Sequence, residues 1–216
     1  MDVNGDGYAD LVHLSASGSG VGYQARIMSY LSNGDGTFST AQYIPGNDTF
    51  LPSYGSHHWK IFDANGDGLP DLVHIINLNT TPASVADVYL SSGNGSFVAS
   101  DHLTSNLGGW YAVDLNGDGL VDLTQVGGTS GRLNTFLSKG DGTFVGGTFV
   151  SSTDPNVGSG SWQALDTNGD GLVDFVHTPA SLTGGGFYVW RSKGDGTFDV
   201  VLGSQAADIG CATDCA

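Results

Sequence analysis

The chain contains no glutamate, and all 22 of its acidic residues are Asp. Glu suits helix interiors, whereas Asp suits turns and loops. Its absence speaks against a helical bundle, a coiled coil or a doubly wound α/β enzyme. Cations are also scarce: Lys and Arg together number 6, and the formal net charge is −16. That leaves no basic footprint, so nucleic acid and anionic membrane are not expected partners. No apolar run approaches the length of a membrane span, and no basic-then-apolar start marks a signal peptide, so membrane insertion is not expected. The 216 residues therefore read as a mature region or a trimmed piece of one, long enough for one domain or at most two small ones. Cysteine occurs only as Cys211 and Cys215, both in the tail string CATDC, so no disulfide framework holds the domain. A local bridge in an oxidising compartment and a pair of free thiols both fit that spacing.

What the chain does have is glycine, 35 residues of it, together with 39% hydrophobic and 10% aromatic residues. The aromatics are spread along the chain, which speaks against wholesale disorder. The glycine and aspartate fall into repeats. The string DxNGDGxxD occurs at Asp2–Asp10, Asp63–Asp71, Asp114–Asp122 and Asp166–Asp174. A second string follows each copy: YLSNGDGTF to Phe38, YLSSGNGSF to Phe97, FLSKGDGTF to Phe144 and WRSKGDGTF to Phe198. Trp59, Trp110 and Trp162 each stand four residues before the first Asp of a later copy.

Each repeat reads as four short strands, with NGDG, GDG and GNG supplying the residues that tight turns need. A unit of about 50 residues with four strands has the size and content of a propeller blade. The expected fold is thus all-β, made of β-propeller blades, each a four-stranded antiparallel sheet with an acidic loop. The whole chain, 1–216, reads as a single repeat domain. Its blades fall at about 1–50, 57–105, 108–155 and 160–203, followed by a tail at 204–216. Blade 1 begins at its acidic loop and lacks the Trp-bearing first strand, and the tail offers no replacement for it. Open blade edges are templates for pairing, so self-association, as part of a larger or oligomeric propeller, is expected.

Three Asp and an Asn within nine residues repel or compete unless something sits between them. Positions 1, 3, 5 and 9 offer hard oxygens, and position 7 adds a backbone carbonyl. In the second copy these are Asp63, Asn65, Asp67, the carbonyl of Leu69, and Asp71. Oxygen donors without His or Cys suit calcium best. A metal-free row of Asx turns is the plainer alternative, and fourfold repetition weighs against it. An EF-hand would need Glu at position 12 and flanking helices. Position 12 holds His13, His74, Gln125 and His177, and the flanks are β-prone. The lone acids of the second string, Asp35, Asp141 and Asp195, read as hairpin turns.

The paired motifs DxNGDGxxDLV and YLSxGDGTF resemble the FG-GAP/VCBS repeats of calcium-binding β-propellers, over roughly residues 2 to 203. Such repeats are similar to those in integrin α-chain heads, seven-bladed fungal lectins and the shells of bacterial insecticidal toxin complexes. The resemblance implies about four structural Ca2+ ions. Their ligands would be Asp2, Asn4, Asp6, Tyr8 and Asp10; Asp63, Asn65, Asp67, Leu69 and Asp71; Asp114, Asn116, Asp118, Leu120 and Asp122; and Asp166, Asn168, Asp170, Leu172 and Asp174. It implies an adhesive, carbohydrate-binding or scaffold module, secreted or on the cell surface, where millimolar calcium keeps weak sites filled. Its rings usually hold about seven blades against the four read here.

Trp59, Trp110 and Trp162 carry two readings. They fill space around the loops and between blades, or they stack on the apolar faces of sugar rings as a ligand site. His13, His74 and His177 read as packing elements. The unrepeated His57, His58, Asp48, Asp87, Asp101, His102 and Asp154 form no recognisable catalytic motif. The expected function is therefore non-catalytic: a calcium-binding module for a carbohydrate or protein ligand. The alternative is a self-assembling scaffold whose calcium only stabilises blades, and behind both stands an accessory domain of a carbohydrate-active enzyme or toxin.

Overall fold

The computed structural model describes residues 1–17, 24–39, 42–45, 55–78, 84–106, 109–126, 132–150, 154, 160–180 and 186–203. Cys211, Cys215, Asp48 and the 204–216 tail lie outside the described residues. Every regular element among them is a strand. In chain order these are β1 (Leu11–Ser17), β2 (Gln24–Tyr30), β3 (Gln42–Pro45), β4 (Gly55–Phe62), β5 (Asp71–Leu78), β6 (Ser84–Ser91), β7 (Phe97–Ser105) and β8 (Trp110–Val113). They continue with β9 (Asp122–Val126), β10 (Arg132–Ser138), β11 (Phe144–Val150), β12 (Ser161–Leu165), β13 (Asp174–Thr178), β14 (Tyr188–Ser192) and β15 (Phe198–Leu202).

The strands form four antiparallel meanders: β1-β2-β3, β4-β5-β6-β7, β8-β9-β10-β11 and β12-β13-β14-β15. In the second, third and fourth sheets the acidic loop closes the hairpin from the first to the second strand, and the second string closes the hairpin from the third to the fourth; in the first sheet the second string joins β2 to β3. The first sheet has three strands, starting directly after its loop. Glycine is required in these turns: Gly66 and Gly68 sit at φ 76° and 86° in the loop, and Gly93 and Gly95 at 70° and 85° in the hairpin. Side chains other than Gly rarely tolerate that region.

By contact density the chain divides into two compact units, Met1–Asn106 with Ser138–Val145, and Leu107–Leu137 with Gly146–Ala216. Within each, one sheet lays an apolar face on the next. In the first unit Val3 and Ile27 cluster with Leu72, Tyr89 and Phe97 of the following sheet. In the second, Leu115, Val126 and Leu133 cluster with Phe175, Tyr188, Trp190 and Phe198. Of the inner strands, β9 is buried along its whole length and β5 over its first six residues, whereas β12, at the edge of its sheet, is not. A single sheet of this size cannot bury both faces alone, and stacking repeats solves that problem.

Candidate metal loops and the aromatic rows

The four acidic loops share one hydrogen-bond pattern. In the second copy the Asp63 carboxylate accepts from the amides of Gly66 (2.7 Å), Asp67 (3.2 Å) and Gly68 (2.8 Å). Asn65 Oδ1 accepts from Asp67 N at 3.0 Å while its Nδ2 donates to Asp67 Oδ2 at 2.9 Å. Asp67 Oδ1 in turn accepts from Leu69 N at 2.8 Å. The Gly7 amide, with those of Gly5, Asp6 and Asn4, holds Asp2 below the usual carboxylate range. Asp166 is held low in the same way by Gly169 and Gly171.

The Asp at position 9 behaves differently. Asp71, Asp122 and Asp174 are fully buried and Asp10 nearly so. Asp71 Oδ2 accepts from Ala64 N at 2.8 Å and Oδ1 from Ser91 N at 2.8 Å. Asp10 joins Val3 N to Ser32 N, and Asp174 joins Thr167 N to Ser192 N. This carboxylate knots the acidic loop to the second string of its own repeat. Burial, reinforced by the negative Asp67 and Asp63, pushes Asp71 up to about 6 despite those two amides.

A raised carboxyl pKa means that the folded state holds its proton more tightly than the unfolded chain. Asp71's contribution to stability is therefore full below pH ~4 and declines as pH rises to about 6. In calcium-free buffer, carboxyl-carbon NMR is expected to find Asp71 titrating near pH 6, well above Asp2. A titration at or below the ordinary carboxylate value would contradict that. Asp71→Asn places an amide N–H₂ against one of two backbone N–H donors in a buried site, at an expected loss of about 1–3 kcal/mol in urea unfolding.

The donor chemistry fits a hard cation, since each loop offers carboxylate, amide and carbonyl oxygens and no His or Cys. Burial is the main cause of the rise at Asp71, and the smaller repulsion from Asp67 and Asp63 is what a divalent ion between these groups would relieve. Calcium would compete with Asn65 Nδ2 for Asp67 Oδ2. Among the described residues no three His, Cys or acidic side chains converge as a metal cluster, so amide and backbone oxygens are indispensable to such a site. Tyr8 is half exposed with its ring over Gly34, and Leu69 and Leu172 are partly buried.

The three tryptophans stand in rows across their sheets. Trp59 pairs in register with His74, His74 with Asp87, and Asp87 with His102. Trp59 stacks on His74 with ring centroids 4.1 Å apart and 8° between planes. Trp162 repeats this on His177 at 4.3 Å and 14°. In the third sheet Gln125 replaces the His opposite Trp110, and Trp110 stacks on Phe136 at 5.5 Å instead. Trp110 is buried, while Trp59 and Trp162 are half-buried and pack on the clusters between adjacent sheets. His74 and His177 are buried, as expected of packing elements; His13, in β1 of the first sheet, is exposed, so the packing reading does not extend to it.

Two His–carboxylate pairs were not legible in the sequence. His102 Nδ1 meets Asp87 Oδ1 on an exposed edge. His177 Nδ1 lies 2.7 Å from Asp154 Oδ2, which also accepts from Trp190 Nε1 at 3.0 Å, all fully buried. A pair sealed from solvent orients and packs but reaches no substrate. Asp101 Oδ2 accepts from Phe144 N at 2.9 Å. Side-chain hydroxyls are a further class of tie: Ser91 Oγ donates to Val3 O and Ser192 Oγ to Leu115 O, both at 2.8 Å. The Ser repeated in every second string was the available signal for them.

Four meandering antiparallel sheets, stacked in pairs and each opened by an Asp-Asn-Gly loop, define a β-propeller-like repeat module. The family profile described as FG-GAP-like repeat matches residues 2–74 and 114–177. The chain belongs to that family. The two matched segments contain all four acidic loops. Comparison with curated proteins gives no match.

Proposed function

We propose that this chain is a non-catalytic, calcium-binding propeller module that works outside the cell as a structural or assembly element. Repeats of the family are generally non-catalytic and typically extracellular. No helix among the described residues is long and apolar enough to cross a membrane. The observation that carries the calcium reading is the acidic loop closed by Asp71, whose carboxyl is raised by burial and, to a smaller extent, by its loop neighbours Asp67 and Asp63. A cation supplies the missing positive charge and holds the loop; the ligands we assign to it are the residues at positions 1, 3, 5, 7 and 9 of each copy. Calorimetric titration of calcium into demetallated protein is expected to show about four sites, and loss of one site in Asp63→Ala. No heat of binding at millimolar calcium would overturn the assignment.

The packing of Trp59, Trp110 and Trp162 supports assembly over recognition, because His74, Phe136 and His177 already stack on them. Carbohydrate binding or adhesion between blades is the second reading, and it is favoured by the partial exposure of Trp59 and Trp162. A glycan array in millimolar calcium separates the two. Binding that is lost in Trp162→Ala, with the fold intact by circular dichroism, would establish the recognition role.

A further inference from the structure

Within each unit the sheets meet through a repeated fitting. The position 7 side chain of one loop reaches the position 4 glycine of the preceding loop: a Cβ on Gly5 would meet Leu69 at 3.3 Å, and one on Gly117 would meet Leu172 at 3.1 Å. In the later three hairpins the second glycine is covered by the preceding sheet. A Cβ on Gly95 would meet Leu31 at 3.1 Å, on Gly142 Leu90 at 2.6 Å, and on Gly196 Thr135 at 3.0 Å and Leu137 at 3.7 Å. Hydroxyls of Ser29, Ser100 and Thr135 donate to the carbonyls of those same glycines. The Phe that ends each hairpin is then buried: Phe97 4%, Phe144 7% and Phe198 2% exposed.

Two half-fittings are open, and they are complementary. On the first sheet Phe38 is 47% exposed and Tyr8 53%, and a Cβ on Gly36 would meet nothing. On the fourth sheet Gly169 likewise has nothing within 4 Å, and Thr167 is exposed where Val3, Ala64 and Leu115 are buried. The residue that covers the next hairpin, Leu31, Leu90 or Leu137 elsewhere, is Arg191 here. Its Nε is buried without a hydrogen-bond acceptor. The hairpin that would lie over it carries Asp35 beside Gly36.

We propose that the open face of the fourth sheet (Thr167, Gly169, Arg191) receives the open face of the first sheet (Tyr8, Asp35, Gly36, Phe38) of a second copy of this chain. Tyr8 takes the place that Leu69 and Leu172 take internally, and Phe38 becomes buried. Arg191 donates to the Gly36 carbonyl, in place of the hydroxyl that Ser29 and Thr135 supply two residues before Leu31 and Leu137 and that Val189 lacks here, and pairs with Asp35. The contact is heterologous, so it builds closed rings or open chains according to whether the rotation closes. It deepens the assembly reading and needs neither calcium nor a sugar.

The test is sedimentation equilibrium of the 216-residue chain across concentration, with and without calcium, so that failure of the metal assignment is seen separately. Self-association is expected, weakened on the order of tenfold or more in Arg191→Asp and in Asp35→Arg, and restored when those two variants are mixed, because each mixed contact again joins opposite charges. Phe38→Ser is expected to weaken association while leaving the melting temperature nearly unchanged, which guards against Asp35→Arg merely disturbing its hairpin. A monomer at every concentration overturns the proposal, as does association indifferent to Arg191→Asp and Phe38→Ser.

Discussion

Asp154→Ala is expected to destabilise the protein by about 2–6 kcal/mol, because each of two buried donors left without its acceptor costs about 1–3 kcal/mol. Asp154 is the acceptor for both His177 Nδ1 and Trp190 Nε1, and all three are fully buried. Removing the carboxylate takes the shared acceptor from two buried donors and leaves a void beside Trp190, a side chain of the second unit's cluster. For a chain of this length, each kcal/mol lowers the melting temperature by roughly 2–4 °C, so differential scanning calorimetry would register a large shift. Because His177 Nδ1 and Trp190 Nε1 share the single acceptor Oδ2, Asp154→Asn can keep both on its one amide oxygen as a weaker, neutral acceptor, so it should fall between wild type and Asp154→Ala. Combining Asp154→Ala with His177→Phe is expected to cost less than the sum of the single changes, because the second removes one donor left by the first. Strict additivity would mean that the two residues are not coupled.

Withdrawal of calcium is expected to have the other large effect. At free calcium about 100-fold above Kd, each independent site adds on the order of 2.7 kcal/mol. Chelation should therefore lower the melting temperature by far more than any exposed substitution does. Four divalent ions would also cancel half of the formal charge of −16. The effect should shrink on acidification through pH 6, since Asp71 then takes up a proton and no longer contributes its charge to the site. Magnesium should replace calcium poorly, because it demands near-ideal octahedral geometry. An unchanged melt on chelation would leave the Asx hydrogen bonds, such as Gly66 N and Gly68 N to Asp63, as the whole of what holds the loops.

Much of this was written locally. The spacing of DxNGDGxxD and the second string carries the period, and the glycines carry the turns, because a φ near +75° to +88° at Gly34 and Gly36 is a property of the residue itself. The all-β class, the family and the candidate ligands of each loop could be read from those strings alone. The absence of Glu and of a basic face excluded whole classes before any fold was considered.

Other features belong to tertiary structure. Nothing in the Asp71 motif says that this acid is buried and bound to Ala64 N and Ser91 N, because those donors reach it only when loop and hairpin close on each other. Trp59 lies on His74 because the β4–β5 register sets them opposite; their spacing from the loop is local, but which ring meets which is not. Asp154 has no repeat partner, and its role depends on where the chain brings it relative to β13 and β14. The exposure of Phe38, against the burial of Phe97 and Phe198 in the same motif, depends on whether another sheet covers it. Local conformation follows from the residues at hand, whereas burial, partner choice and open faces follow from what long-range packing sets beside them.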